Sequence, residues 1–295
     1  MSGKKNITSD IKDFWQKNPC GSDFIEKSDW KIFFREYDEF KYKIEPHIID
    51  NLDSIDWKNK RVLEIGLGQG AEAQRIIERG AIYYGIDLTE ESVFRVKKRF
   101  EINNLGYESV SVMNAEKIGY EDGFFDIVFS HGVIHHSPDI GIIIGEIFRV
   151  LKKNGTAIIM LYHKNSVNYR ISINIIRRAG IFLLYIPGFS KIISKLTGEP
   201  VERLKKHKEN IKKSGLSYLK MSNFIHKSTD GPDNIFSSVF TKNDSKKMFE
   251  EFSDIRFSVH YINLRHVPFL LILPKKIKKI LESKYGWHLW IYAIK

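Results

Sequence analysis

Val62-Leu-Glu-Ile-Gly66-Leu-Gly68-Gln-Gly70 decides the reading of this chain. A short apolar run ends at closely spaced glycines and passes at once into helical spacing over residues 70–79. Glycines let a backbone turn sharply and approach a ligand, because no Cβ intervenes. A helix that starts behind such a loop offers unpaired N–H groups. Working outward, residues 81–86 form a second predicted strand closed by Asp87, and Thr89 caps a helix that runs through Phe100. Further strands are expected at 109–113, 125–130 and 156–161, with a helix over 140–151 and a turn at Lys152-Lys-Asn-Gly155. Strands alternating with helices imply a parallel sheet covered on both faces.

That rhythm stops near residue 165. Residues 165–230 are rich in Ile, Leu, Lys and aromatics without a strand pattern, and are expected to be a helical insertion, or lid. A helix over 241–252 and strands near 255–262 and 288–294 resume the order. Before the glycine loop, residues 7–16 and 30–52 carry apolar positions at helical spacing. The expected organisation is a helical cap (1–59), a nucleotide-type core (60–164), the insertion (165–230) and the rest of the core sheet (231–295).

The 295 residues are 42% hydrophobic and 28% charged, ordinary for a globular protein. The start has no apolar signal-like segment and no apolar run is long enough to span a bilayer, so a cytoplasmic location is expected. The single cysteine, Cys20, excludes an internal disulfide and a cysteine-based metal cage. Net charge is +11, and two stretches account for it: 190–230 has ten Lys/Arg against four Asp/Glu, and Arg265 to Lys284 six against one. They are either solvated helix faces or a surface for an anionic partner.

Three features bear on the ligand. Glu64, two residues before the first glycine, can meet a cationic amino group. Asp87 at the end of the second strand can accept from both hydroxyls of a ribose. Asn114-Ala115-Glu116 after the third strand can accept from an adenine amino group. With Ala71 the loop also passes as the dinucleotide form G-x-G-x-x-A.

In order and spacing, Val62-Leu-Glu-Ile-Gly-x-Gly-x-Gly70, Gly85-Ile-Asp-Leu88, Asn114-Ala-Glu116, Phe125-Asp-Ile-Val-Phe129, Gly132-Val-Ile-His-His136-Ser-Pro-Asp139 and Glu146-Ile-Phe-Arg-Val-Leu-Lys-Lys-Asn-Gly155 resemble the motifs of class I S-adenosylmethionine (SAM)-dependent methyltransferases, most closely the methyltransferase type 11 group. The resemblance is dense from about Lys60 to Tyr162. It implies a Rossmann-like seven-stranded, mostly parallel sheet with an antiparallel last strand, SAM as cofactor and S-adenosylhomocysteine as product. It also implies that Gly66, Gly68 and Gly70 line the methionine part with Glu64 beside it, that Asp87 holds the ribose, and that Leu88, Asn114, Ala115 and Glu116 hold the adenine. Asn114 replaces the usual Asp, so that contact is neutral. Ser130, His131 and Gly132 would lie near the sulfonium. Lys41-Tyr42-Lys-Ile-Glu-Pro-His47 is similar to an R-Y-x-x-E-P-H segment of the group, which puts Tyr42 near the cofactor.

Methyl transfer is an in-line displacement, and only a hydroxyl or phenol acceptor needs a general base. His136 is the first candidate, followed by His135 and His131; a structural role for His135 and His136 is the alternative. No metal site is expected. Trp15, Tyr162 and His163 are candidates to border the acceptor, against ordinary packing. A small-molecule or lipid-like acceptor is expected. Nucleic-acid methylation through the basic insertion, a SAM-binding protein that does not catalyse, and a nicotinamide enzyme are the alternatives. Two apolar segments, 180–193 and 268–274, are each followed by lysines. They form either helices of a packed lid or a peripheral membrane contact.

Overall fold

The computed structural model describes residues 2–21, 29–264 and 267–295; Arg265, which opens the second basic stretch, lies outside the described residues. The chain starts with α1 (Ser2–Lys17), α2 (Trp30–Ile44) and α3 (His47–Asp53). Asp29 caps α2 by accepting from the Lys31 and Ile32 amides. The helical spacing read over 30–52 is divided between two helices, because Pro46 has no N–H and its ring cannot sit in a helix interior.

Strands and helices then alternate: β1 (Arg61–Ile65), α4 (Ala71–Glu78), β2 (Ile82–Asp87), α5 (Glu90–Ile102), β3 (Ser109–Val112), β4 (Phe125–His131), α6 (Ile140–Val150) and β5 (Leu151–Tyr162). Thr89 caps α5, with Glu90 and Glu91 in its first turn. The buried residues of α6 (Ile143, Ile144, Ile147, Val150) recur at helical spacing and turn one face to the core. After β5 come a π-helix (Asn168–Arg177), α7 (Arg178–Leu183), α8 (Phe189–Thr197), α9 (Val201–Ser214) and α10 (Met221–Thr229), then α11 (Lys242–Met248), β6 (Asp254–His260), α12 (Lys275–Tyr285) and β7 (His288–Ile294).

The seven strands form one sheet in the order β3-β2-β1-β4-β5-β7-β6. Strands β1 to β5 pair in parallel, with Glu64 opposite Gly85 on β2 and opposite Phe129 on β4. β7 is antiparallel: its end meets the start of β5 through Asn154 N–H to Lys295 O and Lys295 N–H to Gly155 O, both 3.0 Å. The expected turn at 152–155 is instead a bulge inside β5. Asn154 takes φ +64°, and the register with β4 jumps from Phe125–Leu151 to Ile127–Thr156. Strand order reverses between β1 and β4, and the crevice at their C-terminal ends is where open α/β sheets bind ligands.

The chain divides into two compact units: Met1–Leu161 with Asp244–Phe257 and Trp290–Lys295, and Tyr162–Asn243 with Ser258–Leu289. The second contains 21 Lys and Arg against six Asp and Glu, so the first is slightly acidic.

Candidate active site

β1 delivers Glu64 to the glycine loop, and the loop needs its glycines. Gly66 sits at φ +80°, where a Cβ would lie 2.3 Å from Val133 Cγ2, so the loop after β4 packs directly on it. Gly68 sits at φ +50°, and among the described residues a Cβ there would meet only Cys20 Cβ at 4.0 Å. Gly70 caps α4 in the left-handed conformation.

Asp87 braces this loop. Its Oδ2 accepts from Leu67 N–H (2.8 Å), and its Oδ1 from the N–H (2.9 Å) and hydroxyl (2.8 Å) of Thr89. Burial raises its carboxyl above the ordinary value, against the donors that hold it down. Glu64 is 2% exposed and accepts from the Tyr83 hydroxyl at 2.6 Å. Burial pushes its carboxyl up to about 8, so at neutral pH it holds its proton until a cation arrives.

A buried network pins the N-terminal helices to the loop. Asp38 of α2 makes a two-pronged pair with Arg99 of α5 (2.9 and 3.0 Å). Arg99 Nε donates to Gln69 O (2.8 Å), and the Gln69 side chain donates to Cys20 O (3.0 Å). Lys41 pairs with Glu72 at the start of α4 (2.6 Å). Burial alone would raise the Glu72 carboxyl, but the Lys41 ammonium beside it holds it below its ordinary value. Tyr42 lies under the Arg75 guanidinium, and its buried hydroxyl has no hydrogen-bond partner in the structure. Asp38, Gln69, Glu72, Tyr83 and Arg99 were not singled out in the sequence. Only the alternation that turns Glu64 and Tyr83 inward offered any signal.

Past β3, Asn114 Oδ1 accepts from Glu116 N–H (2.9 Å), closing the turn that carries Ala115. Glu116 accepts from Ser137 Oγ (2.8 Å), which links this turn to the loop after β4. Leu88 is half-buried beside Asp87. Ser130 Oγ donates to Ile65 O (2.9 Å) across β1 and β4.

The three histidines lie at and after the end of β4. His131 packs on Trp290 (5.1 Å between ring centres), and burial lowers its imidazole to about 4. His135 is fully buried, which together with His136 and His131 drives it well below the ordinary value. Both are neutral at physiological pH, and His135 is sealed from solvent. The His136 ring lies 4.4 Å from that of His135 and meets Trp15 of α1 edge-on at 5.0 Å. The structure therefore brings Trp15 and His136 together.

Tyr162 and His163 belong to the second unit. Tyr162 stacks on Trp287 (4.4 Å) and donates to Asp230 (3.0 Å). His163 is 2% exposed, with Nδ1 3.1 Å from Gly286 O. Among the described residues no cluster of three His, Cys, Asp or Glu could hold a metal ion.

A glycine loop at the switch point of a Rossmann-like sheet, backed by an acid at the end of β2, defines a nucleotide-type ligand site. Residues 63–159 match the family described as "Methyltransferase domain". The chain is 30% identical over 156 residues to a ubiquinone biosynthesis O-methyltransferase of Neisseria meningitidis, covering 50% of this chain and 63% of that protein. It is 33% identical over 129 residues to "Putative methyltransferase YrhH" of Bacillus subtilis, covering 43% and 69%. It is 26% identical over 161 residues to phosphoethanolamine N-methyltransferase 2 of Caenorhabditis elegans, covering 54% and 36%. A solved complex of the Haloferax volcanii Trm112 methyltransferase activator and a "putative methyltransferase" shares the fold at TM-score 0.52 and 14% identity, covering 90% of this chain and 93% of that one. The chain belongs to the class I SAM-dependent methyltransferases of type 11. It spans 63% of the length of the Neisseria relative.

Proposed function

We propose that the chain transfers the methyl group of SAM to an oxygen or nitrogen of a small-molecule or lipid-like acceptor, leaving S-adenosylhomocysteine. The observation that carries this reading is the left-handed glycine loop, braced by Asp87, at the β1–β4 crevice in a chain of this family. The residues suit the cofactor. Among the described residues no atom lies closer than 4.0 Å to a Cβ at Gly68, the buried Tyr42 hydroxyl lacks a partner, and Glu64 is a carboxyl ready to meet a cation.

On this reading Gly66, Gly68, Gly70 and Glu64 take the methionine part, and Asp87 the ribose. Leu88, Asn114, Ala115 and Glu116 take the adenine, and Tyr42, Ser130 and His131 border the sulfonium end. When bound, SAM supplies an electrophilic methyl carbon. The chain's own residues align the acceptor and exclude water. Glu64 gives up its proton as the ligand's amino group approaches. The Thr89 hydroxyl has one proton and two acceptors, Asp87 Oδ1 and Ser92 Oγ (2.9 Å); turning to Ser92 leaves Oδ1 for a ribose hydroxyl. His136 takes the proton of a hydroxyl acceptor, whereas an amine needs no base. Trp15, against His136, borders the acceptor.

The test is incubation of the protein with methyl-labelled SAM and a lysate of its source, with Asp87→Ala as the blank. Label in small-molecule or lipid fractions, absent from the blank, is the expected result. Label in RNA or DNA would move the reading to nucleic acid, and S-adenosylhomocysteine binding without transfer would leave a non-catalytic protein.

A second reading is supported by the second unit: a cytoplasmic protein that works at a membrane surface. Most of the exposed large apolar side chains among the described residues are here, including Phe182, Ile186, Ile192, Leu196 and Ile272. On α8 the apolar Phe189, Ile192, Ile193 and Leu196 occupy one arc of about 100°, with Lys191 and Lys195 off it, and none of its residues is buried. No helix among the described residues is long and apolar enough to cross a membrane. Failure to float with anionic vesicles at low salt would end this reading.

A further inference from the structure

We propose that the hollow formed by the segment after β5, the start of α11 and the end of α12 is a binding site for the phosphate group of a small phosphorylated molecule. The cavity holds about 410 Å³ and is lined by His163, Arg170, Lys242 and Lys284, with Asn165, Ser283 and Tyr285 among the others. It lies wholly within the second unit. The site would serve equally if the chain transferred no methyl group.

Its floor is set by backbone. His163 N–H donates to Trp287 O, Lys164 N–H to Phe240 O and Phe240 N–H to Tyr162 O, each at 2.8 Å. His163 Nδ1 lies 3.1 Å from Gly286 O. A Cβ on Gly286 would lie 2.3 Å from His260 O, so the chain passes there only without a side chain. Three distant segments are thus stitched together below the cavity.

Three solvent-exposed cations line the hollow, one from each segment, and no Asp or Glu lines it. Among the described residues no carboxylate forms an ion pair with Arg170, Lys242 or Lys284. The acid on α12, Glu282, is turned away to accept from Tyr261 N–H at 2.8 Å. The acids of this unit that pair with cations do so elsewhere: Glu202 with Lys205 at 2.8 Å and Glu199 with Arg203 at 3.6 Å. Arg170 is held in place by donating to Asn165 Oδ1 at 2.6 Å. Like charges lining one hollow repel, and an anion among them relieves that repulsion.

The ligand class follows from the donors. A phosphomonoester has three terminal oxygens and nearly two charges, which three cations with Asn243, Thr241 and Ser283 beside them can saturate. A single carboxylate would leave donors unused. The volume lies in the range of small-ligand pockets, so an organic part fits beside the phosphate. Burial, with Lys242 and Arg170 nearby, holds the His163 imidazole below its ordinary value; a bound anion would reverse the effect of those two cations.

Calorimetry of the full chain with inorganic phosphate and with glycerol 3-phosphate at low salt tests the site. The variants are Lys242→Ala with Lys284→Ala, and a control that removes the same charge elsewhere, Lys212→Ala with Lys213→Ala on α9. The expected result is binding of one equivalent, weakened about tenfold or more in the first pair only. Phosphate should also raise the His163 pKa by NMR in the unaltered chain, a readout independent of the variants. Glycerol 3-phosphate bound without phosphatidic acid vesicles assigns a soluble ligand, and vesicles bound in preference assign a lipid headgroup. No binding at about 10 mM, equal weakening in both pairs, or an unmoved His163 would overturn the site.

Discussion

Cations do opposite work in the two units. Around the glycine loop they are partnered: Arg99 with Asp38 and Gln69, Lys41 with Glu72, Arg95 with Glu91. There they hold backbone in place, and the unit as a whole is slightly acidic. In the second unit acids are outnumbered more than three to one, and apolar side chains stay in solvent beside the lysines. Charge that is neutralised internally builds a site, whereas charge left over is available to something outside the chain. Each experiment below tries that contrast at one point.

The largest effect is expected from Asp38→Ala, which strands the 1% exposed Arg99 and loosens Gln69. Removing one partner of a buried pair costs about 3–5 kcal/mol, read by urea unfolding. A loss below ~1 kcal/mol would break the claim that these cations are structural. Gly68→Val comes next. A β-branched side chain at φ +50° would strain the loop, and S-adenosylhomocysteine affinity should fall about 100-fold, ~2.7 kcal/mol, by calorimetry. Affinity close to that of the unaltered chain would remove Gly68 from the cofactor site.

Glu64→Gln sharpens the comparison through pH. The unfolded Glu64 releases its proton near 4.5, whereas the folded one keeps it up to about 8. The folded state therefore binds more protons between these values, and this group's contribution to stability declines as pH rises. The glutamine variant lacks that decline, so its advantage in thermal melts should grow by on the order of 1–3 kcal/mol from pH 5 to pH 8. Parallel curves would contradict the buried neutral carboxyl. The smallest effect on stability belongs to Ile192→Ser with Leu196→Ser on α8, within roughly 0.5 kcal/mol. The same pair should abolish flotation with anionic vesicles; undiminished flotation would move the contact elsewhere.

The glycine loop and the alternating strands were legible because each is written locally, in glycine spacing and apolar runs, whereas the antiparallel course of the final strand followed only from the family resemblance. What failed was also local but ambiguous. Lys152-Lys-Asn-Gly155 has the composition of a turn, and pairing with Lys295 decides that it is a bulge. Pro46 marks a helix break that apolar periodicity alone runs through. The network behind the loop was illegible for another reason. Nothing near Arg99 in Val96-Lys-Lys-Arg99-Phe separates it from a solvated cation, because its partner Asp38 lies 61 residues away. Tyr83 hid among ordinary strand aromatics in the same way.

Tyr83 also makes the site observable. Its phenol is 1% exposed and donates to the Glu64 carboxyl, one hydrogen bond from the group whose charge is poised to change. When Glu64 ionises, that hydrogen bond becomes charge-assisted and shorter, which perturbs the electronic transition of the phenol. The protein thus carries a native chromophore, and ultraviolet difference spectra taken during titration would follow events at the end of β1 without a label.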